Sequence, residues 1–133
     1  MTKTLIAAKD APPPGGAYSP ALAVGDWFFA AGQGGFDSSG ALVSPEIEGQ
    51  TEQAFRNIDD LLEAAGLTRG DIVSCLVHLS DLSLFPRYNA VYERQFPDEP
   101  RPVRTTVGAA LLSNMLVEIT VVARRGASGK GAP

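Results

Sequence analysis

The chain has 133 residues and 14.0 kDa, a size at which one hydrophobic core need not split, and 11 Lys and Arg against 15 Asp and Glu leave a net charge of −4. Arg124, Arg125 and Lys130 fall in the last ten positions, so residues 1 to 123 hold eight basic and fifteen acidic side chains, a net −7 that disfavours binding to a nucleic-acid backbone. A single Cys and a single His exclude an internal disulfide and would leave a metal site to an unusual, mostly carboxylate ligand set.

The first apolar run, Leu5 to Ala8, suits a short strand and is too short for a secretory signal. Nothing in the chain approaches a membrane span, so a soluble, cytoplasmic protein is expected. Residues 11 to 17, Ala-Pro-Pro-Pro-Gly-Gly-Ala, can continue neither a helix nor a central strand. Ala21 to Ala31 is two apolar segments split by Gly25-Asp26, the pattern of a β-hairpin, and a Gly-rich loop from Gly32 to Gly40 follows.

Ala54, Phe55, Ile58, Leu61, Leu62 and Ala65 then repeat at helical spacing, which predicts a helix entered near Ser44-Pro45 and stopped at Gly66. Asp71 to Ser80 alternates as a strand, with Val73, Cys75, Val77 and Leu79 on one face. A second helix, about Leu84 to Phe96, puts Phe85, Tyr88, Tyr92 and Phe96 on one stripe, and Ser83 before it makes Pro86 tolerable in its first turn. Val103 to Ala109 and Leu116 to Ala123 read as two closing strands joined as a hairpin through Ser113-Asn114. Residues 1 to 125 thus form one α+β domain, a mixed sheet with two helices on one face, and 126 to 133 a flexible tail. Apolar residues occur on both parities of the strands, so the other sheet face needs a cover, most economically further copies of the chain.

Two charges stand out against apolar strands. Arg104 in Pro102-Val103-Arg104-Thr105-Thr106-Val107 reads either as a solvated surface residue or as a two-point grip on a carboxylate. Glu118, the one ionisable group in Met-Leu-Val-Glu-Ile-Thr-Val-Val-Ala, either faces solvent or is poised for proton transfer. If the last two strands pair antiparallel with even residues opposite even ones, Arg104, Thr106, Glu118 and Thr120 share one face. Cys75 reads as a small core residue, and His78 as structural or interfacial. The glycines Gly32, Gly34, Gly35 and Gly40 make no dinucleotide-binding fingerprint.

The ordered motifs Gly16-Ala17-Tyr18-Ser19-Pro20-Ala21, Ala31-Gly32-Gln33, Gln50-Thr51-Glu52-Gln53, Leu79-Ser80-Asp81, Tyr88-Asn89-Ala90-Val91-Tyr92, Pro102 to Val107 and Val117-Glu118-Ile119 together resemble the Rid family of reactive-intermediate deaminases over about Leu5 to Ala123. The resemblance implies a chorismate-mutase-like fold, a six-stranded sheet with two helices on one face. It further implies a homotrimer whose sheets form a central barrel with sites between subunits. The implied chemistry is hydrolysis of enamine or imine acids such as 2-aminoacrylate to 2-keto acids and ammonia, with no cofactor and no metal. Carried over by position, Arg104 would clamp the substrate carboxylate and Glu118 would place the water. Tyr18, Ala31 and Gly32 would line the pocket, Asn89 would support it across the subunit boundary, and Thr106 would face the imine carbon.

The chain departs from the usual pattern in three places. Ala31 stands where many members have Ser, Thr106 where many have Cys, and Gly34-Gly35 replaces an apolar-Pro pair, which is expected to loosen and widen a loop near the pocket. A deaminase of a larger enamine acid and a non-catalytic carboxylate-binding or chaperone-like trimer are the alternatives. Neither nucleic acid nor membrane is an expected partner.

Overall fold

A computed structural model describes residues 1–130. It has six strands and two helices: β1 (Thr4–Ile6), β2 (Ala21–Val24), β3 (Trp27–Ala30), α1 (Ile47–Ala64), β4 (Ile72–Leu79), α2 (Phe85–Gln95), β5 (Val103–Gly108) and β6 (Val117–Arg124). The strands form one mixed sheet in the order β1-β2-β3-β6-β4-β5, and both helices cover the same face. The Gly25-Asp26 turn pairs β2 with β3, Ala21 opposite Ala30, as the hairpin pattern requires.

The expected hairpin of the last two strands does not form. Ser113 and Asn114 do turn the chain, with φ of 55° and 59°, but β4 lies between β5 and β6, parallel to the first and antiparallel to the second. The long α2 crossover explains this, because it carries the chain back over the sheet and sets β5 down parallel to β4 at the edge. Residue pairing in β4 also differs from strict alternation. A bulge between Ile72 and Ser74 turns Ile72 into the core with Cys75, Val77 and Leu79 and leaves Val73 half-buried.

Helix α1 begins at Ile47, two residues later than Pro45, because the Ser44 hydroxyl accepts the Glu46 N–H at 3.0 Å in the turn before it. It stops as predicted: Gly66 takes φ of 74°, where an L side chain is disfavoured, while the Gly66 and Leu67 N–H groups donate to Glu63 and Leu62 carbonyls at 2.9 and 2.8 Å. Its buried stripe of Ala54, Phe55, Ile58, Leu61 and Leu62 packs on Val77, Ile119 and Val121 of the sheet. Phe55 also meets Tyr92 and Phe96 edge to face, at 5.8 and 5.6 Å between ring centres, which joins the helices.

Gly34 and Gly35 do not loosen their loop. A Cβ on Gly35 would stand 2.6 Å from Gln50 Cα, and one on Gly34 2.5 Å from Met115 Sδ, so both are glycines because backbone presses against α1 and Met115. Asn57 of α1 donates to the Gly34 and Phe36 carbonyls at 3.1 and 2.8 Å and fastens the loop from below. Of the expected tail, residues 126–130 run in turns on the body, where Asp71 accepts the Ser128 N–H at 3.0 Å; residues 131–133 lie outside the described residues.

The sheet face away from the helices is open. Leu5, Trp27, Phe29, Leu76, Val103 and Val107 stand on it with between 38% and 71% of their surface exposed, beside Thr105, His78, Glu118 and Thr120. No helix among the described residues is long and apolar enough to cross a membrane.

Candidate active site

The residues singled out by sequence fall into two groups on opposite faces of the sheet. Arg104 pairs in register with Cys75, and Thr106 with Val77, so both point toward the helices. Glu118 pairs with His78 and Thr120 with Leu76, which places them on the open face. The expectation that all four share a face therefore fails, because β4 separates the two strands and fixes their parities independently.

On the helix side, Arg104 is half-buried at the sheet edge beneath α2. Its Nη1 donates to Asn89 Oδ1 at 2.7 Å. Its guanidinium carbon lies 4.5 Å from the Tyr92 ring centre, 5.4 Å from Phe85 and 5.8 Å from Tyr88, an aromatic sleeve around the charge. Sequence reading found the stripe of Phe85, Tyr88 and Tyr92 as a helix face and missed its second use. The available signal was an Arg of the closing strand opposite an aromatic helix.

The surroundings of Arg104 stay neutral. Burial pushes the Cys75 thiol up to about 11 and the Tyr88 hydroxyl up to about 12, and raises Tyr92 too, so all three keep their protons at pH 7 and leave the guanidinium unneutralised. The hydroxyl oxygens of Tyr88, Tyr92 and Thr106 are buried and without hydrogen-bond partners. Thr106 thus turns its oxygen inward, toward Tyr88, instead of presenting it to solvent.

On the other face, Glu118 lies against Gly32. A Cβ there would stand 2.6 Å from the carboxyl carbon of Glu118 and 3.0 Å from its Oε1, so only glycine leaves room for the carboxylate. Gln33 locks this approach by exchanging both backbone hydrogen bonds with Ile119, at 2.8 and 2.9 Å, and its side chain donates to the Ala31 carbonyl at 3.0 Å. The Ala31 N–H donates to Pro20 at 2.9 Å and so ties the Tyr18 loop to the same end of the sheet. Tyr18 is 54% exposed, and its hydroxyl accepts the Gly15 N–H at 3.0 Å. Among the described residues no three His, Cys, Asp or Glu side chains cluster to hold a metal ion.

One half of this arrangement is a rigid cation with N–H donors left over, suited to a carboxylate. The other is a carboxylate held beside a bare backbone, suited to placing a water.

Comparison with known proteins agrees with the fold. A family described as Endoribonuclease L-PSP matches residues 8–125. A RutC family protein of Saccharolobus solfataricus is 39% identical over 125 residues, 92% of this chain and 98% of the relative. A protein of Dermatophagoides farinae named 2-iminobutanoate/2-iminopropanoate deaminase is 35% identical over 119 residues, 88% of this chain and 92% of the relative. Among solved structures, a Yersinia pestis protein described as a member of the conserved Rid family superposes with a TM-score of 0.88 at 35% identity, covering 92% of this chain and 99% of the other.

Proposed function

The chain belongs to the endoribonuclease L-PSP family, which includes the Rid proteins, and from that premise we propose that it is a reactive-intermediate deaminase. Its reaction is hydrolysis of a small enamine or imine acid to a 2-keto acid and ammonia. The observation that carries the reading is Arg104, which is held by Asn89 and three rings, is left charged, and has donors free for a carboxylate.

With the substrate carboxylate on Arg104, the enamine takes a proton from solvent on carbon to become the iminium, the protonated imine. Water, placed by Glu118 beside Gly32, adds to the C=N carbon and gives its proton to the carboxylate. The carbinolamine then collapses: the nitrogen takes that proton back, the C–N bond breaks to release ammonia, and the hydroxyl gives its remaining proton to solvent as its oxygen becomes the keto group. Positioning and one proton shuttle supply the catalysis, so the reaction asks for neither metal nor cofactor.

Arg104 and Glu118 lie on opposite faces of one sheet, so a complete site takes them from neighbouring copies. The open apolar face supports the same assembly, a homotrimer with sites between subunits. Tyr18, Ala31 and Gly32 join the Glu118 half, and Asn89 and Thr106 the Arg104 half. Although the family's description names an endoribonuclease, the −7 carried by residues 1 to 123 supports a small carboxylate partner over RNA.

The test is a coupled assay. Added to a serine or threonine dehydratase reaction, the protein should speed keto-acid release, and Arg104→Ala should abolish the acceleration; no acceleration by wild type across several amino-acid precursors overturns the reading. The inward Thr106 hydroxyl leaves few polar groups in the Arg104 half, which favours one second reading, a carboxylate binder without turnover. Calorimetric binding of 2-oxobutanoate through Arg104 without turnover would select it. A larger enamine acid gains nothing from Gly34-Gly35, which is packed tight.

A further inference from the structure

We propose that Glu93 is a positioning residue for this reaction, aiming the Arg104 guanidinium through the side-chain amide of Asn89. The inference rests on the reading of Arg104 as the carboxylate clamp.

Asn89 and Glu93 are one helical turn apart on α2, and Asn89 Nδ2 donates to Glu93 Oε1 at 3.1 Å while Asn89 Oδ1 accepts from Arg104 Nη1 at 2.7 Å. The amide therefore stands between a carboxylate and a guanidinium, each on the end it suits. Reversing it would set NH2 against N–H donors and C=O against an acceptor, so both bonds would go at once. Glu93 decides which end of Asn89 faces Arg104. Each charge also polarises the amide in the sense that strengthens the other bond.

The indirect arrangement has a purpose that direct contact could not serve. A carboxylate bonded straight to Arg104 would fill the guanidinium fork and cancel its charge. Through the amide, Glu93 fixes geometry and leaves the remaining N–H groups for a ligand. The Tyr92 ring, with its centre 4.5 Å from the guanidinium carbon, backs Arg104, and the relay adds a directional hold on Nη1. Glu93 is exposed and, among the described residues, makes no ion pair, so its carboxylate has the Asn89 amide as its side-chain partner.

The experiment compares Glu93→Ala and Glu93→Gln in the coupled assay and follows the Asn89 side-chain amide by 1H–15N NMR, its signals identified by their loss in Asn89→Ala. Glu93→Ala should raise KM about fivefold with kcat changed by less than about twofold, and Glu93→Gln, which keeps a carbonyl acceptor at the same reach, should recover most of that loss. The Asn89 amide signals should move in the Ala variant and hold in the Gln variant. An unchanged KM in Glu93→Ala, equal losses in both variants, or Asn89 signals that ignore residue 93 would overturn the relay. If wild type itself shows no turnover, the deaminase reading fails and the Asn89 signals alone decide the relay.

Discussion

Glu118 owes its place to what Gly32 lacks. The carboxyl carbon occupies the volume that a Cβ at Gly32 would fill, and Gln33 pins that backbone to β6, so the approach is built in. Gly32→Ala should leave the fold intact, because the far end of a flexible side chain can move aside. It should lower kcat in the coupled assay by about tenfold to a hundredfold, since the moved carboxylate no longer places water. A Gly32→Ala enzyme with wild-type kcat would show that this contact does not matter. At this scale the sequence was informative about identity and silent about direction. Arg104 and Glu118 stood out as lone charges among apolar strand residues. The inward turn of the Thr106 hydroxyl and the ring sleeve over Arg104 depend on helix packing that no local pattern encodes.

Elements were read well where one period and its end signals agreed, as in α1 with its Gly66 stop. They were misread where pairing is decided at long range. The Ser113-Asn114 turn is real, yet the strands it joins are not partners, because β4 competes successfully for both edges. The short turn after α1 carries its own testable device. Asp71 accepts N–H groups from Thr68 and Ser128, each at 3.0 Å, and these bonds outweigh its burial and hold its carboxyl below the ordinary value. A lowered folded-state value stabilises the protein above the unfolded aspartate range, and that stability is lost as pH falls through the folded value. Asp71→Asn should therefore cost about 1–2 kcal/mol in urea unfolding at pH 7, with the gap to wild type narrowing below about pH 4. A gap independent of pH would remove the carboxylate from the explanation.

For the whole molecule, apolar residues on both parities of the strands signal an uncovered face, and six of them stand exposed there. What the sequence could not supply was the sorting of site residues onto the two faces, which follows from strand order alone. That sorting predicts complementation. Arg104→Ala and Glu118→Gln, each inactive alone, should regain about a quarter of wild-type activity when unfolded together and reassembled in equal amounts, because random mixing makes about one junction in four complete. Recovery measured against each variant refolded separately checks this, and no recovery would place both residues in one subunit's site.

The division of the sheet into an Arg104 side and a Glu118 side would also make the proposed activity a property of concentration. In the proposed assembly a lone chain holds half of two different sites and a whole copy of none, so dilution below the dissociation constant of the assembly should switch catalysis off without unfolding anything. A bound carboxylate would act in the opposite sense. By touching both copies it would draw them together, and the substrate would help to assemble the enzyme that consumes it.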